Sequence, residues 1–154
     1  MSQRDLTLKP ATVIDRNTLW CLLQTYLDEI APLYNLARQA DVYPYPWFNA
    51  YFENAADRHP FLIETEPGQP AGLILVEDCS TRDTQANHRL AEFFVMPSFR
   101  GQGLAQRAAT EVFTLLPGAW ELDYSRRYKP AIALWESLLA RHIIRSENLG
   151  IDET

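Results

Sequence analysis

Basic residues are in short supply: 14 lysines and arginines face 20 aspartates and glutamates, a net charge of −6. That balance excludes a general nucleic-acid or anionic-membrane binder, since both partners need a cationic footprint. It suits a cationic substrate better. Cysteine is scarcer still. Cys21 lies in an apolar helical pattern and Cys79 in a polar stretch, a pair that makes no disulfide framework and reads as two free thiols. His59, His88 and His142 are scattered, without the two-turn or hairpin spacing that metal sites use, so no metal is expected. Long apolar runs are missing as well. The opening MSQRDLTLKP has no signal-peptide core and no later run approaches bilayer length, so a cytoplasmic protein, not bound to membranes, is expected.

What is present is 47% apolar and 22% charged residues over 154 positions, the balance of a packed single domain spanning residues 1–154. Leu6 and Leu8 alternate with polar neighbours before Pro10 and predict a short strand. Asp15 is placed to cap a helix whose apolar residues (Leu19, Leu22, Leu23, Tyr26, Leu27, Ile30) recur every three or four positions until Pro32 ends or kinks it near Ala31. An aromatic stretch holding Tyr43, Tyr45, Trp47, Phe48, Tyr51 and Phe52 contains a second short helix from Pro46 to about Asn54. Its usual role is core packing, with Tyr43 and Tyr45 kept as substrate-pocket candidates.

Phe61 to Glu64 and Ala71 to Val76, joined through Glu66-Pro67-Gly68-Gln69, read as a hairpin, and Glu77 to His88 as an exposed connection. A strand over Arg89 to Met96, a helix from Leu104 to Leu116, a strand at Trp120 to Tyr124, a helix opened by Pro130 and a last strand at Ile143 and Ile144 complete the chain. Strands mixed with helices in this order argue an α/β or α+β sheet covered on both faces.

The most informative stretch joins the fourth strand to its helix: Pro97-Ser98-Phe99-Arg100-Gly101-Gln102-Gly103. Glycines let the backbone turn sharply and present successive N–H groups, and a helix start adds unpaired N–H groups and the positive end of its dipole. An anion, a pyrophosphate above all, fits such a place. Two better-known phosphate motifs fail here. A dinucleotide-binding G-x-G-x-x-G/A turn needs Gly or Ala where Gln106 stands, and a P-loop needs Gly-Lys followed by Ser or Thr. A protein using this loop for ATP or a dinucleotide is therefore disfavoured.

With its flanks, Glu92-Phe93-Phe94-Val95 and then Arg100-Gly101-Gln102-Gly103-Leu104-Ala105, the stretch resembles the Arg/Gln-x-x-Gly-x-Gly/Ala motif of the GNAT family of N-acetyltransferases. Here it reads Arg100-x-x-Gly103-x-Ala105, and the order of strands and helices resembles that family over most of the chain. The resemblance implies a mixed, mostly antiparallel central sheet of about six to seven strands flanked by helices on both faces. It also implies acetyl-CoA as co-substrate, with no metal, and a small-molecule or peptide amine as acceptor. By position, Arg100, Gly101, Gln102, Gly103, Leu104 and Ala105 would hold the CoA pyrophosphate, and Phe94, Val95 and Met96 would line its pantetheine arm. The family's Asn, Ala and Phe-Tyr at the start of the next helix are matched by Tyr128, Ala131 and Leu134-Trp135. The frame is kept, but the proposed acid Tyr is replaced by Trp135, whose indole N–H cannot protonate a thiolate. Trp135 is left as a cofactor-packing or core aromatic.

Acyl transfer to an amine needs a base to strip the ammonium, donors at the thioester oxygen and a proton source for sulfur. Glu92, amid Leu90, Ala91, Phe93 and Phe94, is the expected base, with Asp123 and Glu77 in reserve and Tyr124 or Tyr128 as proton donors. Arg107, Arg126, Arg127 and Lys129 are candidates for the nucleotide phosphate of CoA, or a solvated basic loop. The loss of the usual Tyr leaves a non-catalytic acyl-CoA sensor on the same fold as the alternative. The short stretch after Ile144 leaves little chain for the family's last strands, so a homodimer that completes the sheet edge is also expected.

Overall fold

Side-chain alternation along one long hairpin sets the layers. In the computed structural model, which describes residues 5–53, 55–79, 86–139 and 145–146, β2 (Arg58–Glu66) and β3 (Gln69–Asp78) pair antiparallel. Phe61, Ile63, Ile74 and Val76 enter one apolar core, while Leu62, Leu73 and Leu75 enter another on the opposite face. Both strands run beyond their expected limits because both faces are covered, so the ladder continues until charged residues reach water. β1 (Thr7–Pro10) pairs with β2, and β4 (His88–Val95) with β3, both antiparallel. The parallel strands β5 (Trp120–Leu122) and β6 (Arg145–Ser146) complete a six-stranded sheet in the order β1-β2-β3-β4-β5-β6. Ile143 and Ile144, expected as the last strand, lie outside the described residues.

Helix α1 (Arg16–Tyr34) buries Leu19, Leu22, Leu23, Leu27 and Ile30 against the second core. It does not stop at Ala31. Pro32 lies within the last helical turns, where its missing N–H removes a single bond, and the helix ends three residues on at Asn35 in the left-handed region (φ 54°), whose N–H reaches Ala31 O. Asp15 does not cap α1 through its side chain; it closes a capping box with Thr12 on the 3₁₀ turn that precedes the helix. The expected helix from Pro46 shrinks to α2 (Ala50–Glu53). Bonds three residues apart, such as Phe48 N–H to Tyr45 O, keep the residues before it in tight turns.

The other face carries α3 (Leu104–Leu115) and α4 (Lys129–Leu139), which bury Leu104, Ala108, Val112, Leu134, Trp135 and Leu138 in the first core. At the far end of the sheet Asp78 Oδ1 is shared by His59 Nε2 (3.0 Å) and His88 Nδ1 (2.9 Å), so the ends of the region expected as a loop belong to β3 and β4. Among the described residues no helix is long and apolar enough to cross a membrane. Nor, among them, does any group of three or more His, Cys, Asp or Glu side chains form a metal site.

Candidate active site

Two features of β4 create the site. The first is where its pairing to β5 stops. The two strands are joined only through His88 with Trp120 and Arg89 with Glu121, so from Leu90 to Val95 the β5 side of β4 is open. The second is a bulge. Leu75 faces Glu92 while Val76 faces Leu90, which leaves Ala91 as an extra residue on β4. The extra residue resets the alternation. Leu90, Phe93 and Val95 stay with the α3–α4 core, whereas Ala91 and Phe94 pack on the α1 side, and Glu92, opposite Leu75, is turned toward α1 as well.

Backbone direction along the open edge follows from one bond. Met96 N–H donates to Ala71 O on β3 at 2.8 Å, and residues two apart in an antiparallel strand share a direction. The N–H groups of Phe93 and Val95 therefore point away from β3, toward the gap. Val95 O on that side accepts from Arg100 Nε at 3.0 Å.

A cavity of about 460 Å³ lies on the α3–α4 side of the gap. Of the residues singled out by sequence, Val95, Arg100, Gly101, Gly103, Leu104, Ala105 and Trp135 line it; Phe94, Met96 and Gln102 do not. Phe94 lies elsewhere. It is 1% exposed on the opposite face, against Tyr26, with the Arg100 guanidinium above its ring, and Phe93 takes the wall position expected for it. Met96 packs against both cores at the sheet's edge.

Gly101 and Gly103 have φ of +79° and +78°, and a Cβ added to either would meet no atom within 4 Å. Conformation, not crowding, requires glycine there. Arg107 N–H is the first to reach back into the helix, to Gly103 O at 3.1 Å, and no side chain caps the helix. The amides of Leu104, Ala105 and Gln106 precede any helical acceptor, and those of Gly101, Gln102 and Gly103 make no backbone bond among the described residues.

The Arg100 side chain faces away from this turn. Its guanidinium makes a forked pair with Glu29 of α1 (2.9 and 2.7 Å) and touches Tyr128 Oη at 3.3 Å; Tyr128 in turn donates to Glu29 at 3.2 Å. Desolvation, then the Glu29 charge, push the Tyr128 hydroxyl up to about 12. Arg126 and Arg127, between β5 and α4, and Lys129, which opens α4, are exposed just before Pro130 in the wall of the cavity.

A second cavity, of about 420 Å³, opens on the α1 side, with Glu92 in its wall. Tyr45 donates to Glu92 Oε2 at 2.7 Å, and the nearby Tyr26 hydroxyl also favours the ionised carboxylate. Burial dominates over these stabilising bonds, and the Glu92 carboxyl is raised from 4.5 to about 7. Tyr124 and Asp123 line this cavity only. Phe93, Tyr128, Ala131 and Trp135 line both, so the cavities meet where β4 and β5 part. Trp135 is buried and stacks edge-on against Phe93 at 5.4 Å, which makes it both a core aromatic and a shared wall. Glu77 is occupied elsewhere, by Arg58 (3.1 Å) and Arg89 (3.7 Å).

Sequence reasoning missed Phe93, Tyr26 and Glu29. Plain alternation from Val95 puts Phe93 on the cavity face, a signal that the family resemblance alone did not use. Tyr26 carried the helical period and read as core, and Glu29 meets Arg100 across 71 positions with no local signal.

A half-open sheet with a glycine turn and helix start at the end of its splayed strand defines an α/β protein built to hold an anionic group beside a cleft. The chain belongs to the acetyltransferase (GNAT) family, whose sequence profile matches residues 23–139. A variant of the BH1408 protein from Bacillus halodurans superposes with a TM-score of 0.69 at 16% identity, over 93% of this chain and 98% of that one. A ribosomal-protein-alanine N-acetyltransferase from Brucella melitensis biovar Abortus does so at 0.64 and 14%, over 86% and 89%. A spermidine N-acetyltransferase from Vibrio cholerae, in complex with CoA and spermine, does so at 0.60 and 19%, over 86% and 79%. At these identities the likeness establishes the fold. No curated protein matches the sequence.

Proposed function

We propose that this domain transfers the acetyl group of acetyl-CoA to a primary amine by direct attack in a ternary complex, with one substrate in each cavity. The observation that carries the reading is the meeting of the two cavities at Phe93, Tyr128, Ala131 and Trp135, beside a carboxyl poised near neutrality. The amides from Gly101 to Gln106 would receive the diphosphate, with the dipole of α3 behind them. Val95 and Phe93 would face the pantetheine arm, and their outward N–H groups are the candidate donors for the thioester oxygen.

Glu92 acts as the base. With its pKa near 7 it is substantially ionised at neutral pH, yet basic enough to relieve an ammonium of its proton directly or through water. Tyr128 is the better placed of the two tyrosine donors because it alone lines both cavities. Raised to about 12, it would turn its single O–H from Glu29 to the developing thiolate as a hydrogen bond rather than surrender its proton outright. Tyr124 faces the acceptor side and can relay a proton from water.

One observation favours a second reading, a non-catalytic acyl-CoA sensor: Trp135 stands where the family places a proton donor. Incubation with acetyl-CoA and a pool of primary amines, followed by mass spectrometry of acetylated products, separates the two. Product mass is the right readout because Cys21 is an exposed free thiol that would react with thiol reagents. An acetylated amine supports the enzyme; saturable CoA binding with no product from any amine supports the sensor.

A further inference from the structure

The walls of the α1-side cavity carry information about the acceptor, an inference that rests on the acyl-transfer reading above. We infer that the acceptor is a small monoamine with an aromatic or apolar body, and that polyamines are poor substrates. The cavity of about 420 Å³ is within the usual range for a small-molecule site and has room for a one- or two-ring body. Six tyrosines line it: Tyr26, Tyr34, Tyr43, Tyr45, Tyr124 and Tyr128. The hydroxyls of Tyr43 and Tyr45 are already bonded, to Asp28 at 2.8 Å and Glu92 at 2.7 Å; the Arg38 guanidinium lies over the Tyr43 ring, so Tyr45 is the one of the two that offers a guest its ring. Ring faces attract one cation and pack edge-on or offset against another ring.

Charge is what the cavity lacks. Its ionisable lining, tyrosines aside, is Arg89, Glu92 and Asp123. Asp123 lies 4.0 Å from Arg89, which also reaches Glu77 (3.7 Å) and Glu121 (3.8 Å). Among the described residues Glu92 is thus the one lining carboxyl without a cation already within ion-pair distance. It can receive a single ammonium, the one to be acetylated. A second ammonium would leave water for a wall of rings and aliphatic carbons where, among the described residues, the remaining lining carboxylate is Asp123, already shared with Arg89, an arrangement that opposes binding. The spermidine N-acetyltransferase that shares this fold is in complex with a polyamine, so the fold leaves the choice to the lining.

The test uses the full chain with acetyl-CoA and four acceptors: 2-phenylethylamine, hexylamine, spermidine and a lysine-bearing peptide. The expected result is a kcat/KM for 2-phenylethylamine at least about 30-fold above that for spermidine, the scale at which a pocket's polar match decides between substrates. Hexylamine should fall between them and the peptide below both monoamines. In Ala37→Asp, which adds a carboxylate at an exposed position on the rim, the ratio of spermidine to 2-phenylethylamine should rise by about tenfold. Equal or better use of spermidine or the peptide by the wild type, or an unmoved ratio in Ala37→Asp, overturns the inference. CoA titrated calorimetrically into the same samples separates the two levels. Absence of CoA binding refutes the acyl-transfer reading itself, whereas CoA binding with no preference for the monoamines refutes only the acceptor class.

Discussion

The two cavities that meet at the open edge of β4 are built from different materials. On the α3–α4 side the walls owe their character to backbone: two glycines with positive φ, a run of amides without acceptors and the start of a helix, all within Gly101 to Gln106. On the α1 side the walls are side chains drawn from α1, the segment after it, β4 and the loop beyond β5. The contrast separates what acyl-transfer chemistry shares from what it varies. A diphosphate is the same for every acceptor, so a short backbone device can serve it. An amine's body differs from case to case, and only side chains can be changed to suit it.

The sharpest way to break this comparison is to remove function from one side while leaving the other intact. Glu92→Gln should lower kcat by between about 10² and 10⁴, the range of a lost general base, with the CoA Kd within about twofold of wild type. Its second signature is the pH profile. In the wild type, kcat/KM should climb through about pH 7 as Glu92 ionises, and this limb should vanish in the variant. Stability moves the opposite way. Because the folded carboxyl holds its proton up to about 7 rather than 4.5, the contribution of this group is intact below 4.5 and fades as pH rises through 7. The loss is about 2 kcal/mol after allowing for the side of the carboxyl that faces the cleft. Urea unfolding at pH 5 and 8 should show that difference in the wild type and not in Glu92→Gln.

Gly103→Val tests the other side. A branched residue cannot hold φ of +78° without strain, but its Cβ would enter open space, so the fold should survive. Displacing two amides from an anion should weaken CoA binding by about 100-fold or more, measured calorimetrically, with the circular-dichroism spectrum unchanged. An unaltered Kd would remove the turn from the cofactor site.

Tyr45→Phe makes a smaller change on the α1 side. The lost hydroxyl bond favoured the ionised carboxylate, so the carboxyl should rise further and the limb of the pH–rate profile should move to higher pH by somewhat under one unit, with CoA affinity unaffected. Glu29→Gln lies between the two regions and should have the smallest effect. It weakens the forked pair with Arg100, which is only partly shielded from water, and should cost about 1 kcal/mol in urea unfolding.

Legibility followed the same division. The Arg100-x-x-Gly103-x-Ala105 turn was readable because everything it needs is encoded within six residues. The order of the elements was readable because the apolar period changes visibly between strand and helix. Glu92 was singled out by its setting among apolar neighbours, but the side it faces was not, since the Ala91 bulge is specified by how β3 and β4 settle in register. Phe93 and not Phe94 shares the face of Val95, as plain alternation beyond the bulge requires. The motif assigns Arg100 to the pyrophosphate by the backbone of its loop and carries no sign of its side chain's partner, Glu29, on a helix 71 positions away. Pro32 misled for a simpler reason: near the end of a helix a proline removes one bond, which the remaining turns absorb.

The sequence by itself determined the family, the arrangement of strands and helices, and the position of the anion-ready turn, because each depends on contacts close along the chain. Only the tertiary structure decided that the sheet opens after Arg89, that Glu92 stands among tyrosines, and that two cavities share the walls of Phe93, Tyr128 and Trp135. Those outcomes depend on where distant segments pack, and on a single extra residue in β4 that reverses which face its neighbours see.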